Sequence, residues 1–213
     1  MTSLKEYRQK RHLSKTSEPG PLKKKSSSCH LFVVQKHSAR NLHYDFRIES
    51  EAVLKSWAVP KGPSLNPANK RLAMAVEDHP LDYASFEGVI PKGEYGGGTV
   101  MVWDYGTYHP ESEESVSAAL KKGEFKFTLD GKKLKGSWAL VRMRDRNWLL
   151  IKHRDRFAST KAITDLEPLS VLSGRSMEEI ATDEAGDVTQ SVAKDASNLP
   201  RRLRASKSPK TTK

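Results

Sequence analysis

From residue 30 to residue 153 apolar and polar side chains alternate with a period of two, the repeat of strands whose successive residues face opposite sides of a sheet. The pattern predicts strands over 31–37, 43–49, 53–59, 71–77, 98–104, 124–129, 136–143 and 147–153. They are short, closely spaced and punctuated by Gly and Pro, which favours an antiparallel sheet over helix-linked parallel strands. The expected fold is mainly β, a small antiparallel sheet closed into a barrel or stacked as a sandwich. One helix is expected over 113–122, with Ser112 as its cap, Glu113 and Glu114 in its first turn, Lys121 and Lys122 in its last and Gly123 as its stop. A second is expected over 177–185, where Ser176 and Glu179 form a capping-box pattern.

Composition narrows the class. The chain has 213 residues, enough for one domain with tails. No apolar stretch approaches the roughly 20 residues that span a bilayer, and the first 30 residues lack the apolar segment of a secretory signal. Cys29 is the only cysteine, which excludes an internal disulfide and a cysteine-based zinc site. The expectation is an intracellular monomer without membrane partners, in the cytoplasm or nucleoid if the source is prokaryotic.

The net charge is +11, and its distribution is uneven. Residues 1–29 carry +6, 30–161 carry +5, 162–193 carry −6 and 194–213 carry +6. This divides the chain into a basic N-terminal arm (1–29), a β-domain (30–161), an acidic segment with a short helix (162–193) and a basic tail (194–213). The Lys23–Lys25 and Ser26–Ser28 runs, and a tail of Ser, Lys, Arg and Pro, read as disordered termini. Arms of this kind bind polyanions such as nucleic acid, or merely solvate the protein; charge leaves both readings open.

Strand parity picks out the chemistry. In the second strand Tyr44, Phe46 and Ile48 form an apolar face, leaving His43, Asp45 and Arg47 together on the other. Gln35 and His37 share a face of the preceding strand, and the connection Ser38–Leu42 is short enough to make the two strands hairpin neighbours. In the fourth strand Leu72, Met74 and Val76 are the expected core face. Arg71, Glu77 and His79 are then set on the other, spaced by the small Ala73 and Ala75. Two histidines and an aspartate suit a divalent metal with open positions, the imidazoles favouring manganese, iron or zinc.

The run FVVQKHSARNLHYDFR (Phe32–Arg47) resembles the 3′-phosphoesterase domain of bacterial DNA ligase D. LKSWAVPKGPS (Leu54–Ser64), RLAMAVEDHPLDY (Arg71–Tyr83), FEGVIPKGEYGGGTV (Phe86–Val100) and the later KLKGSWALVRM and WLLIK segments continue the likeness, which covers about residues 5–156. No ligase or polymerase sequence accompanies it, so the chain looks like the stand-alone form. The resemblance implies a small β-barrel that uses manganese to remove a 3′-terminal ribonucleoside and then the 3′-phosphate, leaving a ligatable 3′-hydroxyl on DNA. It implies His37, His43 and Asp45 as metal ligands and Arg47 and His79 as contacts to the scissile phosphate. Gln35, Lys61, Arg71, Glu77 and Tyr83 would complete the pocket, Lys61 and Tyr83 on the resemblance alone. His79, with an ordinary pKa near neutrality, is expected to donate to the phosphate or to protonate the leaving oxygen.

In the arm, RHLSKTSEP (Arg11–Pro19) matches a family segment at Arg11 and Glu18, but His12 stands where an acid is usual. That departure bears on ribonucleoside removal more than on phosphate removal. Expected partners are DNA 3′ ends in a primer–template or nicked duplex, with a DNA ligase, a polymerase or a Ku-type end-binding protein. The competing readings are a non-catalytic DNA-binding accessory that recruits a ligase and a phosphoesterase of small nucleotides. Imidazoles where plain DNA binding would use Lys and Arg argue against the first, and the basic arms against the second.

Overall fold

A computed structural model describes residues 4–21 and 30–183. Nine strands follow in chain order: β1 (Leu31–Ser38), β2 (Leu42–Ser50), β3 (Val53–Val59), β4 (Arg71–Ala75), β5 (Gly88–Ile90), β6 (Gly98–Pro110), β7 (Glu124–Gly131), β8 (Lys135–Arg144) and β9 (Asn147–Lys152). All pairings are antiparallel, in the order β1-β2-β3-β4-β9-β8-β7-β6, and β6 returns to β1 to close an eight-stranded barrel. β5 lies outside the ring, paired only to β6. The strand β6 can serve three neighbours because it is 13 residues long, well beyond the predicted 98–104.

The barrel interior is solid. Phe32, Phe46, Trp57, Trp103, Phe125, Phe127, Trp138 and Trp148 fill it, with Phe46 centred 5.8 Å from Phe127 and 6.4 Å from Trp57. The alternation is clearest in β7, where Phe125, Phe127 and Leu129 are buried and Glu124 and Lys126 exposed. On β1 and β2 both faces are buried, because a second layer covers the outside of the sheet. That layer is the N-terminal arm, with helix α1 (Lys5–Gln9), and the segment carrying the 3-10 turn Leu81–Ser85. Leu4, Tyr7, Tyr83 and Phe86 pack there against Val33, Leu54, Val100 and Val102.

Residues 4–21 of the N-terminal arm pack on the barrel: Leu4, Tyr7 and Glu18 are buried, and the Tyr7 hydroxyl donates to Pro19 O at 2.7 Å. The Lys23–Ser28 run and the tail 194–213 lie outside the described residues. On β4 the faces are reversed. Leu72 and Met74 are 43% and 39% exposed, and Ala73 is the buried one, because Trp57 and Trp148 meet edge-to-face at 5.8 Å and leave room only for a methyl group. The strand also stops at Ala75, short of the predicted 77.

Helix α2 (Val116–Lys122) begins later than predicted. Ser115, not Ser112, is its cap, accepting from Ala118 N at 3.3 Å, while Gly123 ends it at φ 97° as expected. After β9 the chain forms a short helix, α3 (Ile163–Leu166), and then α4 (Met177–Asp183). The capping box of α4 is formed as the sequence predicts, Ser176 N donating to Glu179 Oε2 at 2.7 Å and Glu179 N to Ser176 Oγ at 3.2 Å. Met177 and Ile180 join the barrel core, so the acidic segment packs on the barrel.

Candidate functional site

The β1–β2 register sets His37 directly opposite His43 and Gln35 opposite Asp45. With Tyr44 and Phe46 committed to the barrel interior, the intervening side chains of β2 must point outward, into the seam beneath the second layer. His37 Nδ1 lies 3.4 Å from Asp45 Oδ2, and His43 Nε2 lies 3.6 Å from Asp45 Oδ1. Ligand atoms of the three all fall within 4.8 Å of one another.

Backbone carbonyls fix which ring nitrogen of each histidine holds the proton. His37 Nε2 is 2.7 Å from Gly96 O and His43 Nδ1 is 2.8 Å from Asn41 O. A carbonyl only accepts, so each neutral ring donates there and turns the lone pair of its other nitrogen toward Asp45. Burial holds the His43 pKa below its ordinary value, against the pull of Asp45. Burial would also raise the Asp45 carboxyl, but the Arg47 guanidinium bonded to it outweighs this and holds its pKa below the usual range. Two lone pairs and a carboxylate facing one another make an electron-rich pocket that a divalent cation fits.

Arg47 links the cluster to the covering layer. Its Nη2 donates to Asp45 Oδ2 at 3.0 Å and its Nε to Gln35 Oε1 at 2.8 Å. Gln35 in turn donates from Nε2 to Tyr83 O and Phe86 O, both at 2.9 Å. Arg47 Nη1 is buried with no hydrogen-bond partner. A guanidinium N–H left open beside such a cluster is able to donate to an anionic oxygen.

The arm closes the other side. Arg11 donates to Glu18 Oε1 at 2.9 Å, to Glu77 Oε1 at 3.0 Å and to His79 Nε2 at 3.0 Å, and stacks 3.9 Å from the Tyr7 ring centre. Tyr83 donates to Glu18 Oε1 at 2.9 Å, and its ring lies 5.0 Å from the Arg47 guanidinium. Glu77 also accepts from Lys10 at 3.0 Å. Burial pushes Glu77 up, but bonds from its own amide, Lys10 and Arg11 outweigh this and lower its pKa.

Glu77 and His79 reach this place by a route that parity does not describe. They follow β4 on an irregular segment, and His79 forms an isolated bridge with Leu54, His79 N donating to Leu54 O at 3.0 Å. His79 Nδ1 donates to Glu77 O at 2.9 Å, which leaves Nε2 as the acceptor that Arg11 occupies. Burial, then Arg47 and Arg11, push its pKa well below neutrality. The shift favours the neutral ring over the protonated imidazole that its ordinary pKa suggests, with Nε2 accepting from Arg11.

Two candidates stand apart. Arg71 shares the face of β4 with buried Ala73, toward the barrel interior, and its Nε has no hydrogen-bond partner. Lys61 is exposed two residues after β3, at the sheet end where Leu42 and His43 begin β2. Neither makes a described contact with the cluster. His12 sits at the rim, its side chain 73% exposed, with Nδ1 2.9 Å from Glu94 Oε2. Sequence reasoning missed Lys10 and the Gly96 carbonyl, which act through a salt bridge and a backbone oxygen that no side-chain pattern announces.

The sequence model of the DNA Ligase D 3'-phosphoesterase domain matches residues 35–142, which include the cluster and most of the barrel. The multifunctional non-homologous end joining protein LigD of Pseudomonas aeruginosa is 49% identical over 183 residues, 82% of this chain and 22% of that protein. The LigD protein of Mycolicibacterium smegmatis is 44% identical over 158 residues, 72% of this chain and 21% of its own length. That of Mycobacterium tuberculosis is 46% identical over 147 residues, 68% and 19% respectively. The chain thus spans about a fifth of the length of the relatives it matches. With half of its residues under the family's sequence model and the histidine–aspartate hairpin inside that match, the chain belongs to the DNA ligase D 3'-phosphoesterase domain family.

Proposed function

We propose that the protein is a metal-dependent phosphoesterase of DNA 3′ ends, removing a 3′-phosphate, a 3′-terminal ribonucleoside, or both in turn, to leave a 3′-hydroxyl. The observation that carries this reading is the convergence of two imidazole lone pairs and Asp45 beside the unpartnered Arg47 Nη1. His37, His43 and Asp45 would hold the metal, and two nitrogens with one carboxylate suit manganese better than magnesium. When bound, the metal would polarise a phosphate oxygen and offset charge developing in the transition state.

The protein's own groups do the rest. Arg47 Nη1 donates to a non-bridging phosphate oxygen, with its planar guanidinium fixed by Gln35 and Asp45. Neutral His79 accepts from Arg11 and orients it, while Glu18 and Glu77 balance the arm's positive charge. Tyr83 and Gln35 tie the covering layer to the β1–β2 sheet, so the pocket exists only with that layer in place. Lys61, exposed and outside this contact network, is assigned to the DNA strand, and Arg71, on the inward face of β4, is assigned no substrate contact. In domain terms, 30–161 carry the barrel and 1–29 complete its site.

The substrates inferred are primer–template or nicked-duplex ends inside the cell, and the co-workers a ligase, a polymerase or a Ku-type protein of end joining. LigD relatives are named for non-homologous end joining, which supports this. The test is purified protein with a primer ending in a 3′-phosphate or a single ribonucleotide. Manganese should give a 3′-hydroxyl product, chelator should abolish it, and Asp45→Asn should lose most of the activity. Full turnover without divalent metal, or by Asp45→Asn, would overturn the reading.

A further inference from the structure

The loop between β5 and β6 carries Tyr95, which is 47% exposed, while the other tyrosines of the site region, Tyr7 and Tyr83, are buried. Two successive turns fix this loop, Glu94 N donating to Pro91 O at 3.2 Å and Gly97 N to Glu94 O at 3.0 Å. Gly93 and Gly96 sit at φ 95° and 78°, and a Cβ on Gly97 would come within 2.8 Å of Pro91 O. The turn is thus specified by its glycines, and Tyr95 stands on it with few alternatives for its backbone.

Its neighbours place it at the cluster. The next residue, Gly96, gives the carbonyl that His37 Nε2 bonds at 2.7 Å. The Tyr95 ring has Lys10 Nζ 4.9 Å and the Arg11 guanidinium 5.5 Å from its centre, and its hydroxyl accepts from Lys10 at 3.3 Å. Those two cations are the ones bound to Glu77, Glu18 and His79. Two cations thus flank the ring, and about half of the residue is open to solvent.

A planar aromatic surface, held by the turn and adjacent to the carbonyl that bonds candidate metal ligand His37, is the geometry of a stacking platform for a nucleobase. We propose that Tyr95 stacks on the base of the nucleotide whose 3′ oxygen carries the phosphate at the His37–His43–Asp45 cluster. The assignment rests on the phosphoesterase reading, and it deepens it. The protein would recognise the 3′-terminal nucleoside by its π-face, independent of sequence and of whether the phosphate is terminal or bridges to a ribonucleoside. It would favour purines over pyrimidines, and both over an abasic terminus.

The experiment compares a primer ending in a purine 3′-phosphate with one ending in an abasic-analogue 3′-phosphate, for the full chain and for Tyr95→Ala, Tyr95→Phe and Tyr95→Trp. The unsubstituted protein should prefer the base-bearing end in kcat/KM by about 5- to 150-fold, the span of base–aromatic stacking. Tyr95→Ala should treat the two ends alike, through a raised KM on the base-bearing end. Tyr95→Phe and Tyr95→Trp should keep the preference although they lose the hydroxyl that Lys10 bonds.

A Tyr95→Phe protein as impaired as Tyr95→Ala would assign the residue to the Lys10 contact and overturn the proposal. So would a base preference that survives in Tyr95→Ala. A second readout needs no turnover: 2-aminopurine at the 3′-terminal position, carrying a 3′-phosphate, should be quenched on binding to the metal-free protein and not to Tyr95→Ala. Quenching without phosphoesterase activity would remove the functional reading and leave the platform. Activity with equal rates on base-bearing and abasic ends would remove the platform and leave the function.

Discussion

Replacing Arg11 with Met tests whether the arm is bound by charge or only by its apolar residues. The Arg11 side chain is 5% exposed and is shared by Glu18, 1% exposed, and Glu77, 3% exposed. Methionine keeps the aliphatic packing over Tyr7 but removes the cation. Glu77 retains Lys10, whereas Glu18 is left with only the hydroxyls of Thr16 and Tyr83 and the surrounding backbone. Removing one partner of a buried ion pair costs about 3–5 kcal/mol. For a domain of this size that lowers Tm by roughly 2–4 °C per kcal/mol, or about 6–20 °C in all.

If the arm instead detaches before the barrel unfolds, the same energy appears as local opening, and trypsin should cut at Lys10 and Lys15 in the native protein. Glu18→Gln added to Arg11→Met should recover part of the loss, since no bare carboxylate remains. The acid limb changes too. Glu77 has a lowered pKa when folded, so its contribution is full above the unfolded value of 4.5 and is lost as pH falls through the folded value. Arg11→Met should flatten that fall. Unchanged melting together with unchanged resistance to trypsin would refute the argument.

Two further predictions concern the barrel. The β2–β3 hairpin turns through Glu51 and Ala52 at φ 53° and 63°, a left-handed pair that costs a side chain roughly 1–2 kcal/mol, so Ala52→Gly should raise stability by about 1 kcal/mol in urea unfolding; a loss would refute the strain. Asp104 is buried beside the β7–β8 turn, and burial pushes its pKa up to about 6 against bonds from the amides of Leu134 and Lys133. The unfolded chain releases this proton earlier, near 3.8, so stability from this group is full below that and falls by about 3 kcal/mol as pH rises to 6. The advantage of the unsubstituted protein over Asp104→Asn should shrink across that interval, and a constant gap would sink the assignment.

The sheet and its chemistry were legible where a pattern was local. The β1–β2 hairpin brings His37, His43 and Asp45 together because a short connection and strict parity leave little freedom. The capping box of α4 is likewise a four-residue signal. β4 was misread because Leu-Ala-Met-Ala-Val alternates equally well in either sense, and only the bulk of Trp57 and Trp148 on the two flanking strands decides for Ala73. The arm's part was legible only through the family likeness at Arg11 and Glu18; the packing of Leu4 and Tyr7 carries no local pattern among so many lysines and arginines. His79 was placed near the right partners, but its neutrality depends on two guanidiniums from distant parts of the chain.

The covering layer also fixes an order of assembly. Arg11 meets Glu77 and His79 across 66 and 68 residues, Glu18 meets Tyr83 across 65, and His12 meets Glu94 across 82. The arm, which precedes the barrel in the chain, therefore has its partners among later segments. It cannot dock until β1 to β3 and the segment after β4 exist, and each closure spans a long loop. The barrel can form its ring before the arm arrives, so refolding should pass from a closed sheet with an open outer seam to the finished protein. The arm-built side of the candidate site, not the hairpin cluster, would then be the last part to be made and the first that local opening would dismantle.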